Sequence, residues 1–136
     1  MNRQDMEAYA RARIEASAIM LEEADSLLSN NFTRGAVARI YYSMFQLVNA
    51  YAFLKGFEIR RHRSARSLFH KEFIHKGVIS RETGRTFEIA YMKRTEGDYH
   101  AIVHEKPEVE QLLQQAKEFN SKLTSLINDE LSRPQL

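Results

Sequence analysis

Residues 33–56 read TRGAVARIYYSMFQLVNAYAFLKG, and no other segment constrains the architecture as strongly. Ala36, Val37, Ile40, Tyr41, Met44, Phe45, Val48, Tyr51, Ala52 and Phe53 recur at helical steps. At 100° per residue they fall on more than one side of the helix, which predicts the most buried helix of the chain. Gly56 is placed to end it, since glycine accepts the left-handed conformation that closes a helix. Tyr41, Tyr42 and Phe45 have the spacing of ordinary helix packing, which favours a core role over a ligand box.

Working outward, the segment from about Asp5 to Ser29 places Ala10, Ile14, Ala18, Leu21, Ala24 and Leu28 at steps of three and four. That pattern predicts an amphipathic helix broken at Asn30-Asn31. A short helix is expected over Ser64–Lys76, with Gly77 capping it. Ser80-Arg81-Glu82-Thr83 opens the next helix, and Pro107 sits in the first turn of the last, which runs to about Leu131. Long helices with short connections predict an all-α, up-and-down antiparallel four-helix bundle with an additional short helix across one end. No repeat or linker interrupts the chain, so residues 1–136 are expected to form one domain.

Composition narrows the function classes. The chain has no Cys, five Gly and two Pro. Disulfide and thiolate chemistry are excluded, and a reducing cytoplasm is the expected location. No apolar run of about 18 residues exists to cross a membrane. The formal charge of +2 is unevenly placed. Residues 1–30 hold three basic and six acidic groups, and residues 105–136 hold four and six, leaving 13 against six between them. The densest part is the link carrying Arg60, Arg61, Arg63 and Arg66, with Glu58 as its acid. It reads either as a solvated loop or as a patch that contacts nucleic-acid phosphates.

The stretch Tyr91-Met92-Lys93-Arg94-Thr95-Glu96-Gly97-Asp98-Tyr99-His100 carries the chemistry. Phe87, Tyr91, Arg94 and Asp98 share one side of a helix, so an apolar stripe runs into a charged pair at i, i+4. Charges that continue a buried stripe need partners, a cleft or a subunit interface. Glu96, His100 and His104 would align for a metal only on an unbroken helix, and Lys106-Pro107 argues that the helix has ended; no metal or cofactor is expected. Gly-rich phosphate loops and nucleophile elbows are missing. Metal-free RNA cleavage suits the residues better, because ribose supplies its own nucleophile. Histidine moves a proton near neutral pH, and arginine holds two phosphate oxygens. Arg94 and His100 are about 120° apart on one ideal helix, so both reach one atom only across a dimer axis or through a kink at Gly97.

Three stretches together resemble the HEPN superfamily: Ala38–Phe45, an aromatic second helix; Arg61–Phe69, the link into the short helix; and Arg94–Tyr99, similar to an Arg-x-x-x-Asp-Tyr signature. Thr95 stands where relatives often carry Asn, and Arg63 separates His62 from Ser64 in what is usually a His-Ser pair. The resemblance implies a dimerising helical bundle paired with a minimal nucleotidyltransferase antitoxin. It further implies a metal-independent endoribonuclease toxin using an Arg-x4–6-His motif at the dimer interface. Arg94 would then bind phosphate, His100 act as acid and base, and Asp98 orient Arg94. The alternative is a non-catalytic nucleotide- or protein-binding subunit working with that nucleotidyltransferase.

Overall fold

The computed structural model describes residues 2–59 and 61–133, with Arg63 described by its backbone alone. Among the described residues lie α1 (Arg3–Ser29), α2 (Thr33–Leu54), α3 (His62–Phe69), α4 (Arg81–His100) and α5 (Lys106–Ser132), with no strand. A π-helical turn, His70–Ile74, prolongs α3. The chain is an all-α helical bundle. Its ends are set by local chemistry. Asn2 caps α1 by accepting from the Asp5 amide at 2.8 Å, and Ser80 caps α4 by accepting from the Thr83 amide at 3.1 Å. Gly56 closes α2 at φ 90° and Gly77 closes the π turn at φ 75°, where a side chain would be strained.

Contacts between helix ends give the directions. Arg3, at the start of α1, donates to the carbonyls of Glu130 and Leu131 near the end of α5. Lys55, just past α2, pairs with Glu130 at 2.5 Å. At the other end Arg34, beginning α2, meets Asp98 near the end of α4 at 3.7 Å. Helices α1, α2, α4 and α5 therefore alternate up and down, and α2 packs against the other three.

The expected burial of α2 is observed: Ala36, Val37, Ile40, Tyr41, Met44, Leu47 and Val48 are all closed to solvent. Aromatic rings carry the core across the bundle. Tyr41 stacks on Phe87 at 5.7 Å, and Phe87 on Phe119 at 6.0 Å. One inward assignment fails, because Ala18 is exposed and Ser17 is buried in its place. Ser17 lies on the axis of the Ala10–Ala24–Leu28 stripe, whereas Ala18 is 100° away at its rim. Ser17 survives burial because it donates to the Ser43 carbonyl at 2.8 Å. The short helix also starts earlier than expected, at His62.

Candidate functional site

Arg94 sits on the inward side of α4, facing α2. Its guanidinium carbon lies 5.3 Å from the Tyr41 ring centre and 5.0 Å from that of Tyr42. A cation over two rings is attracted by both, which holds the guanidinium against α2. Nε lies 3.4 Å from Asp98, an ion-pair contact, yet it is buried and makes no hydrogen bond among the described residues. The side chain is only 11% exposed. A nearly buried guanidinium nitrogen without a partner is costly to keep.

His62, in the first turn of α3, joins the same cluster. Its Nδ1 is 2.9 Å from the Tyr41 hydroxyl, and its ring centre lies 4.4 Å from that of Phe45 and 5.5 Å from that of Tyr42. Burial, and then the positive charge of Arg94, hold the imidazole below its ordinary pKa. Burial also pushes the Tyr41 phenol well up, against an opposing pull from Arg94, so it keeps its proton. Arg66 closes the side of the cluster. Its Nη2 donates to Glu88 at 2.6 Å, its guanidinium carbon lies 4.4 Å from the Tyr91 ring centre, and the Glu88 bond raises its pKa. Its Nε, too, is buried without a partner among the described residues.

Tyr41, His62 with Arg66, and Arg94 with Asp98 come from three separated stretches of sequence that converge here. The HEPN domain family model matches residues 10–126. The chain belongs to the HEPN family. A "UPF0332 protein" of Thermotoga maritima is 32% identical over 80% of this chain and 83% of its own length. Two proteins of Methanocaldococcus jannaschii, each named a "Putative toxin", are 34% identical over 80% of this chain and 75% of the relative, and 27% identical over 92% and 93%.

On this HEPN frame the residues singled out in the sequence separate. Arg94 and Asp98 are brought together, and Asp98 also reaches Arg34 at 3.7 Å. His100 is the exposed last residue of α4 and has no hydrogen bond or ion pair among the described residues. Six residues put it about 9 Å along the axis from Arg94 and about 120° round it. At Gly97 α4 continues unbroken, and a Cβ there would meet Arg34 Cγ at an ordinary 3.6 Å. Of the basic link, Arg61 is exposed beside a shallow cleft lined by Ser64, Ser67 and Lys71, while Arg66 turns inward to Glu88. Arg60 and the side chain of Arg63 lie outside the described residues.

His104 shows why the histidine row does not form. Helix α4 ends at His100, with Ala101 left-handed at φ 55°, and His104 falls in the following link. There it is buried, its Nε2 donating to the Lys93 carbonyl at 3.1 Å and its Nδ1 3.5 Å from Glu108. No group of three metal-binding side chains is found among the described residues, and no helix is long and apolar enough to cross a membrane. The sequence reading missed the joining of His62 to Arg94 through Tyr41. Its signal was the pairing of half-apolar Tyr42 and Phe45 with a histidine in the link, invisible without the crossing of α2 and α3.

Proposed function

We propose that this HEPN protein is a metal-independent endoribonuclease toxin acting as a cytoplasmic homodimer. Arg94 holds two oxygens of the scissile phosphate, Asp98 orients that fork, and His100 transfers protons. The observation that carries the reading is the Arg94 guanidinium, pinned on Tyr41 and Tyr42 with its donors unspent. Such a group stabilises charge that develops on phosphorus oxygens, while the substrate's own 2′-hydroxyl attacks. Because His100 diverges from Arg94 on one helix, the partner subunit's His100 completes the centre. Exposed Met92, Tyr99, Ile102 and Val103 on the last turns of α4 and beyond support burial there, Val103 being 78% exposed. The two relatives named "Putative toxin" support a toxin–antitoxin pair. The antitoxin proposed is a minimal nucleotidyltransferase, as the family resemblance implies.

The test is cleavage of total RNA by purified protein in EDTA, with His100→Ala as the control. Wild-type cleavage lost in the variant supports the reading, and equal cleavage by both removes His100 from it. The second reading is a non-catalytic nucleotide- or protein-binding subunit. It is favoured by the lack of contact between His100 and Arg94 within one chain. Absence of cleavage together with stable capture of the nucleotidyltransferase supports it.

A further inference from the structure

We propose that His62 is the general base of this centre, taking the 2′-hydroxyl proton from the ribose whose phosphate lies on Arg94. The proposal rests on the endoribonuclease reading and divides proton transfer between two histidines. Geometry carries it. His62 and Arg94 both lie against Tyr41 and Tyr42, so a phosphate on the guanidinium brings its ribose near the imidazole. The Tyr41 oxygen, 2.9 Å from Nδ1, fixes the ring, and the proposed tautomer is the one in which Nδ1–H donates to it. That tautomer leaves a lone pair on Nε2, which has no hydrogen bond among the described residues. The groups facing the imidazole are Tyr41 and Tyr42 from α2 and Arg94 from α4. Burial, and then Arg94, lower its pKa and so favour the unprotonated state a base requires.

The step balances without another reagent. The 2′-hydroxyl proton passes to His62 Nε2, the 2′-oxygen bonds to phosphorus, and the bond from phosphorus to the 5′-oxygen breaks. His100 protonates the departing 5′-oxygen, and solvent restores both histidines. The products are a 2′,3′-cyclic phosphate and a 5′-hydroxyl. Tyr41 acts only through His62 and is a positioning residue.

The experiment measures cleavage by full-length protein in EDTA at one mapped bond. The substrate is the natural oligonucleotide or one with sulfur replacing the bridging 5′-oxygen, a leaving group that needs no proton. On the natural substrate, His62→Gln should lose about 10²–10⁴-fold and lack the wild-type rise in rate with pH. On the sulfur substrate, His100→Ala should recover while His62→Gln should not. Tyr41→Phe, which keeps the ring and removes the oxygen, should shift the rise in pH and serves if His62→Gln does not fold. Recovery of His62→Gln by sulfur, or an unchanged pH rise in a folded His62 or Tyr41 variant, overturns the assignment while the ribonuclease reading stands. A wild type that cleaves nothing at any pH overturns both.

Discussion

Replacing Arg94 by alanine should cost stability as well as any activity, and the structure sets the size. The side chain is 11% exposed, so truncation strips roughly two buried methylenes, worth about 1.5 kcal/mol together. Loss of a desolvated cation from the Tyr41 and Tyr42 faces removes about 1.5 kcal/mol more. The Asp98 contact, 3.4 Å long with Asp98 32% exposed, adds only about 0.4 kcal/mol. Against these, removing a buried donor with no partner returns about 1 kcal/mol. The expected net loss is about 2.5 kcal/mol, or roughly 10 °C in Tm for a chain of this size. Arg94→Lys keeps stem and charge but not the planar stack, so about 1 kcal/mol should be lost. Urea unfolding followed by far-UV circular dichroism measures both, with His100→Ala as a surface reference expected within about 0.5 kcal/mol of wild type. Arg94→Ala within that same margin would refute the buried stack, as would Arg94→Lys proving worse than Arg94→Ala. Because alanine threatens the fold, Arg94→Lys is the better probe of phosphate binding: a point charge cannot replace the two-oxygen fork.

Two glycines of α4 should respond oppositely to alanine. Gly97→Ala, with room for its Cβ, should gain up to about 1 kcal/mol, whereas Gly84→Ala drives a Cβ into Ile74 Cδ1 and should lose about 1 kcal/mol net, both read by thermal melts. The lowered pKa of His62 makes stability fall with pH: the unfolded chain, with its histidine at about 6.5, binds the proton first. Wild type should therefore lose stability as pH drops through 6.5 and level off below the folded pKa, and His62→Gln should lack that component in urea titrations. If the basic link meets phosphates, neutralising Arg61 and Arg63 should weaken RNA binding and flatten its salt dependence by roughly two phosphate contacts. An unchanged slope returns the link to solvent.

Helix identities and most helix ends, though not those of the short helix, were legible because each has a local cause. The apolar periodicity of Thr33–Leu54, the Ser80 cap and the Gly77 stop act within a few residues. So was the Arg94–Asp98 pair, since i, i+4 neighbours on one helix need no knowledge of the fold. The errors came where cause is not local. Helical phase puts Ser17 on the stripe axis and Ala18 at its rim, but the partner that lets a hydroxyl be buried there, the Ser43 carbonyl on α2, is 26 residues away. Likewise, Arg66 looked like one more solvated arginine of the link until Glu88, 22 residues away, claimed it.

His62 is the strongest case, and it changes the chemistry. Spacing along α4 makes Arg94 look for a proton carrier six residues ahead, where the helix itself turns His100 away. Spacing says nothing of a histidine 32 residues back, on a helix whose start was expected two residues later. Yet the helix crossing puts that imidazole on the ring beneath the guanidinium. In the proposed reading, one protomer offers an arginine and an imidazole that meet the same tyrosine rings, and a second imidazole on another side of α4. Cleavage by internal attack needs a proton removed on one face of phosphorus and one delivered on the opposite face. Groups that diverge within a protomer suit those opposite faces when two copies of α4 meet. The divergence of His100, which argues against a site in one chain, suits the in-line reaction proposed between two chains.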